Sequence, residues 1–167
     1  MFFQRVTLLT SCFFVLLIPY TQAQTVSAAL LLKGPSGQSV SIPATVINKL
    51  PHIEHQGKDH DGQEHTYTGV PLATLLKQVD APLGGRLRGK ALANYLLVGA
   101  KDGYQVVFAL PELDSVFTKQ VIFLADRRDG QPLPAEQGPY RIVVPQETKQ
   151  ARWVRQVTTL TVLTAKE

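Results

Sequence analysis

Two apolar runs, Asn94 to Ala100 and Tyr104 to Leu110, are separated only by Lys101-Asp102-Gly103. Asp-Gly between apolar runs is the strongest short-range hairpin signal, because a tight turn needs residues that accept positive φ. That hairpin commits the middle of the chain to antiparallel sheet, and the rest of the sequence is punctuated in the same style. Ser27 to Lys33 is closed by Gly34-Pro35-Ser36-Gly37 before Ser39 to Ile42 resumes as a second strand. His52 to Gln56 and Glu64 to Thr68 flank Gly57-Lys58-Asp59-His60-Asp61-Gly62, which predicts another hairpin. Val121 to Ala125, ending in a turn at Arg127-Arg128-Asp129-Gly130, Tyr140 to Val144 and the β-branched run Val157 to Thr164 read as further strands.

Helical signals are few and short. Pro43 opens one helix through Lys49, and Pro51 stops it. Pro71 opens a second, in which Leu72, Leu75, Leu76 and Val79 form one buried face before Pro82-Leu83-Gly84-Gly85 ends it. Gln150 to Gln156 supplies a helical turn. Strands that follow one another without regular alternation with helices argue against a doubly wound parallel sheet, and no G-x-G-x-x-G or phosphate-loop motif occurs. The fold class read from these patterns is α+β: a single domain of strand-rich mixed sheets with two or three short helices.

The N-terminus reads as an export signal. Met1 to Arg5 is a short basic segment, Val6 to Ile18 an apolar one, and Thr21-Gln22-Ala23 a small-x-small cleavage site. The apolar run is shorter than the roughly 20 residues a spanning helix needs, and Pro19 breaks it. The expected organisation is a signal peptide over residues 1–23 and one domain over 24–167, periplasmic or secreted, with no stable membrane insertion after cleavage. The chain's single cysteine, Cys12, and single methionine, Met1, leave with the leader. A domain without cysteine has no disulfide, thiolate nucleophile or sulfur ligand. Arg5 stands alone rather than in an arginine pair, which implies export as an unfolded chain. The net charge of +4, reduced by one when Arg5 is lost, is too small to argue for nucleic acid.

Two constellations carry chemistry. All four histidines, His52, His55, His60 and His65, fall in one predicted hairpin with Glu54, Asp59, Asp61 and Glu64 interleaved. Imidazole with carboxylate suits zinc or copper, and His55, His60 and His65 are the candidate ligands; the other reading is a polar hairpin tip facing water. The second constellation is basic: Arg127, Arg128, Arg141, Arg152 and Arg155, with Trp153 among them in the sequence. Guanidinium forks bind oxo-anions and phosphates, and an indole face stacks flat heterocycles. The alternative is surface arginines paired with Asp126, Asp129 or Glu136, with Trp153 in the core.

An ordered set of blocks then resembles a known family. Gly69-Val70-Pro71-Leu72 with Leu75-Leu76, Asp102-Gly103-Tyr104, Leu124-Ala125, Asp129-Gly130-Gln131-Pro132-Leu133, Gly138-Pro139-Tyr140-Arg141-Ile142-Val143-Val144-Pro145 and Ala151-Arg152-Trp153-Val154-Arg155 are similar to the molybdopterin-binding domain of the sulfite oxidase family, over about Leu30 to Val162. The resemblance implies a mixed α+β fold whose pocket holds a pyranopterin carrying molybdenum, and it puts Arg141, Arg152, Trp153 and Arg155 in pocket-side blocks as cofactor-binding candidates. Family enzymes hold molybdenum through one cysteine thiolate, which residues 24–167 lack. Gln137-Gly138 stands where the family commonly has His-Gly, and Gln146 to Gln150 lacks a glycine usual before the Ala-Arg block.

The first expectation is therefore an exported domain that binds a pterin-like or anionic ligand without thiolate-ligated molybdenum catalysis. One alternative is an active molybdopterin-dependent oxidoreductase acting on a small oxo-anion, with water, hydroxide or carboxylate in place of the thiolate and a partner subunit. Another is a periplasmic metal-binding or protein-interaction module built on the His52–His65 hairpin. If the family blocks converge as implied, Arg141, Arg152 and Trp153 share one concave surface, and Arg141→Ala weakens ligand binding without lowering thermal stability.

Overall fold

The computed structural model describes residues 29–166; the leader read over residues 1–23, with Cys12, lies outside the described residues. The Asp102-Gly103 turn forms as expected, with Gly103 at φ 88° and the Tyr104 N–H donating to Asp102 Oδ1 over 2.9 Å. It joins β5 (Asn94–Ala100) to β6 (Gln105–Ala109). β5 pairs on its other edge with β10 (Val157–Thr164), which runs parallel to β1 (Ala29–Lys33), and β1 pairs with β2 (Ser39–Pro43). The first sheet thus has the order β2-β1-β10-β5-β6, antiparallel except at β1/β10.

The histidine-bearing hairpin founds the second sheet. β3 (Ile53–Lys58) pairs with β4 (Glu64–Pro71), and β4 with β7 (Phe123–Arg128). The far edge of β7 is shared by β8 (Gln131–Pro132) and β9 (Arg141–Val143). Gly69 permits the β4/β7 contact: a Cβ there would lie 2.1 Å from the Leu124 carbonyl oxygen, so only a residue without a side chain fits beside the bulge at Thr68/Gly69.

Three short helices connect these strands: α1 (Ala44–Ile47), α2 (Leu72–Leu76) and α3 (Leu110–Leu113). α2 runs into a 3-10 turn at Lys77–Val79, so Leu72, Leu75, Leu76 and Val79 are all buried. One apolar cluster gathers Leu30, Leu32, Leu96 and Leu160 of the first sheet with Val70, Phe123 and Ile142 of the second. Among the described residues no helix is long and apolar enough to cross a membrane.

Two boundaries differ from the sequence reading. Pro43 ends β2 and caps α1 from outside with ψ 154°, which shortens that helix to one turn. The expected turn at 127–130 is tighter, because Arg127 and Arg128 still pair with Thr68 and Tyr67; only Asp129 (φ 52°) and Gly130 (φ 75°) reverse the chain. Arg128 is thereby carried alongside Tyr67 at the tip of the hairpin.

Candidate functional site

Tyr140 to Val144 are buried throughout, so Arg141 has no solvent-facing side to turn to. Its guanidinium, wholly buried, reaches the tip of the β3–β4 hairpin and meets the Asp59 carboxylate in a two-pronged pair, Nη1 to Oδ2 and Nη2 to Oδ1, each 2.7 Å. Nη1 also donates to Gln137 Oε1 (2.7 Å) and Tyr67 Oη (3.1 Å). The Tyr67 hydroxyl in turn donates to Asp59 Oδ2 (2.8 Å), and the His60 N–H donates to Asp59 Oδ1 (2.8 Å). Arg128 stands 3.6 Å from the same carboxylate. Tyr67 and Trp153 flank the guanidinium, their ring centroids 5.5 and 5.2 Å from its central carbon, and the two rings meet edge to face. The hydrogen bond from Arg141 holds the Asp59 carboxyl well below the usual carboxylate range against the opposing effect of burial, while burial pushes Tyr67 up to about 12.

These contacts correct the expectation that Arg141, Arg152 and Trp153 line one open surface. Arg141 is spent on an internal ion pair, because β9 is covered on both faces and the hairpin tip supplies a carboxylate. Arg152 turns away from it. Its Nε donates to Glu147 Oε1 (2.7 Å), a second nitrogen pairs with the same oxygen, Nη1 reaches Glu112 at 3.1 Å, and its guanidinium lies over Phe108. Trp153 is 3 % exposed; its Nε1 donates to the Val144 carbonyl, and its ring edge occupies the place where a Gly57 Cβ would stand.

A groove of about 270 Å³ lies open at Trp153, lined also by His60, Asp102, Tyr104, Gln150 and Arg155. Its walls are tied down on both sides. The Tyr104 hydroxyl donates to the Ala151 carbonyl (2.9 Å), and Gln150 Nε2 donates to the Lys58 carbonyl (2.6 Å). Arg155 is exposed and has no carboxylate within ion-pair distance among the described residues. Of the four basic and aromatic candidates, the groove therefore holds Trp153 and Arg155, joined by His60 from the hairpin. An unpaired guanidinium beside an aromatic floor and polar walls suits a small flat anion.

The metal expectation is also corrected. Among the described residues no grouping of three or more His, Asp or Glu side chains is placed to hold a metal ion. His55 packs against Phe123, with ring centroids 6.0 Å apart, and His60 lies at the groove. His65 has both ring nitrogens taken, Nδ1 by Asp129 (2.7 Å) and Nε2 by Asp61 (2.9 Å), and His52 bridges the Leu50 carbonyl and Asp126. The three ligand candidates thus serve three separate environments.

The His65 bridge links the β3–β4 tip to the β7–β8 turn, with Arg128 and the Tyr67 ring as its other neighbours. Asp61 and then Asp129 raise the histidine above its ordinary value; His65 lowers Asp61, while the Thr66 N–H and then His65 lower Asp129. A raised histidine contributes stability that is complete below about pH 6.5 and lost as pH rises through its folded value. The lowered carboxylates contribute above about pH 3.9 and lose it as pH falls through theirs. The His65 ring is expected to titrate above 6.5 by NMR, and the gap in melting temperature between wild type and His65→Asn to narrow as pH rises above 6.5 through that folded-state value. A ring that titrates at or below 6.5 would show the bridge to be absent in solution.

The model of the oxidoreductase molybdopterin binding domain matches residues 46–167 of this chain. Among solved structures the chain is similar to the sulfane dehydrogenase SoxCD from Paracoccus pantotrophus, with a TM-score of 0.62 at 17% identity; the match covers 81% of this chain and 38% of that one. That likeness is one of fold. No curated protein matches the chain.

Proposed function

Because the chain belongs to the oxidoreductase molybdopterin binding domain family, we propose that it is an exported member that binds a small, flat, anionic or pterin-like ligand in the Trp153–Arg155 groove, without thiolate-ligated molybdenum catalysis. The observation that carries this reading is the division between a closed basic centre and an open one. Arg141 is neutralised by Asp59, whereas Arg155 is exposed beside Trp153 and Tyr104.

The family implies a molybdenum-bearing pterin, and the residues present do not fit its metal. Residues 29–166 contain no cysteine, the described residues offer no grouping of His, Asp and Glu in its place, and the buried guanidinium is already engaged. A ligand in the groove would meet the Arg155 guanidinium with its charge and the exposed Tyr104 side chain with its ring, beside the buried Trp153. Gln150, held by Lys58, would add a fixed amide carbonyl as an acceptor.

Trp153 is the only tryptophan in the chain, so its emission reports on the groove directly. Titration with pterin-6-carboxylate is expected to quench that emission saturably. A charge-assisted hydrogen bond contributes about 1.5–3 kcal/mol, and 1.4 kcal/mol is a factor of ten, so Arg155→Ala is expected to weaken binding roughly tenfold. Arg127→Ala, outside the groove, is expected to change little. Emission that does not respond to the pterin, or equal affinities for wild type and Arg155→Ala, would contradict the reading.

A further inference from the structure

The donors around Asp59 make up an oxo-anion receptor. Arg141 offers two parallel N–H groups at 2.7 Å each, the fork geometry that suits carboxylates and other oxo-anions. Tyr67 adds a hydroxyl to one carboxylate oxygen and the His60 backbone adds an N–H to the other. Arg128 brings a second positive charge to within 3.6 Å, and the Tyr67 and Trp153 rings enclose the guanidinium. The anion in this receptor is the chain's own side chain, delivered from 82 positions away in sequence. The hairpin tip that carries it is closed by two backbone hydrogen bonds, Asp59 N–H to the Gln63 carbonyl and Gly62 N–H to the Asp59 carbonyl, both 3.0 Å.

We infer that Asp59 is a built-in occupant of this receptor, closing the Arg141 centre to small oxo-anions. A tethered anion competes at an effective concentration of about millimolar or more, so a free oxo-anion of ordinary affinity does not displace it. Mild acid is not expected to release it either, since Arg141 holds the carboxyl well below the usual carboxylate range. His60, the next residue, lines the groove, so one hairpin tip both fills the inner centre and walls the outer one. This closure depends only on the buried Asp59–Arg141 pair, whatever the groove binds.

The test vacates the receptor and offers it a replacement. Asp59→Ala removes one carboxylate, and formate is that group as a free ion. Sodium formate and sodium chloride are compared at equal ionic strength by thermal melting. Formate at ten times its Kd is expected to raise the melting temperature of Asp59→Ala by roughly 5 °C, saturably, while wild type shows no gain over chloride. Acetate, one carbon larger, is expected to give less. In Asp59→Asn the amide fills the place, and in Asp59→Ala/Arg141→Met the fork is gone, so neither is expected to respond. If Asp59→Ala does not fold in chloride, formate is expected to restore its far-UV circular dichroism. A variant unresponsive to formate in both melting and folding, or an equal response in the Arg141→Met background, overturns the inference and leaves the pterin titration unaffected.

Discussion

Arg141→Met is expected to lower the melting temperature by roughly 10 °C or more. Removing one partner of a buried pair leaves the other charge uncompensated and costs about 3–5 kcal/mol, and each kcal/mol shifts a domain of this size by roughly 2–8 °C. Asp59 would keep its hydrogen bonds from Tyr67 and the His60 N–H but lose the guanidinium fork, and Gln137 would lose its donor. Replacing both charges together, as in Asp59→Leu/Arg141→Met, is expected to recover much of the loss, since a buried pair exchanged for apolar groups of similar size is often close to neutral. A double-mutant cycle on Asp59 and Arg141 therefore separates their coupling from the packing each provides. A melting temperature for Arg141→Met within about 2 °C of wild type would mean that the pair does not form in solution.

Trp153→Ala is the second large effect. Truncating a buried tryptophan costs about 3–5 kcal/mol. Here it also strips the Val144 carbonyl of its indole donor and removes one of the two rings against Arg141. The edge of the indole lies so close to Gly57 that a Cβ on Gly57 would come within 2.5 Å of it, so the β3 backbone would face a void. Trp153→Phe, which keeps a ring but not the N–H, is expected to lose less. If Trp153→Ala melts with wild type, the indole is not packed against Gly57, Val144 and Arg141 in solution.

The parts of this structure that were legible in the sequence are those fixed by local chemistry. The Asp102-Gly103 hairpin, the α2 face of Leu72, Leu75, Leu76 and Val79, and β10 from Val157 to Thr164 each follow from a few neighbouring residues. The order of the family blocks led to the fold, because such an order depends on the whole chain. The centre was only half legible. Arg141 and Trp153 stood out as a cation and an aromatic ring, and they do lie together, yet the partner that closes them was hidden. Asp59 and Asp61 sit two residues apart in one polar hairpin tip, and nothing local distinguishes the carboxylate that is 5 % exposed from the one that faces water. Only the crossing of β9 beneath that tip separates them. Gln137 carried the one usable signal: it stands where the resemblance led us to expect histidine, and it accepts a hydrogen bond from Arg141.

The histidines illustrate the converse. Their crowding in sequence suggested a metal site, but the hairpin spreads them over different neighbours: His55 against Phe123, His60 at the groove, His65 between two carboxylates. Spacing along strands fixes which face a residue takes, and it does not bring imidazoles to one point. Arg152 behaves likewise, since Glu147 and Glu112 converge on it from separate elements and withdraw it from the groove.

The most direct measurement is the molybdenum and pterin content of the protein purified from its native cells. With no cysteine in residues 29–166 and Arg141 closed by Asp59, molybdenum is expected to be far below stoichiometric, whatever pterin or other anion accompanies the chain. Stoichiometric molybdenum that persists through gel filtration would contradict that expectation, and with it the reading of this domain as a ligand-binding member of its family without thiolate-ligated catalysis.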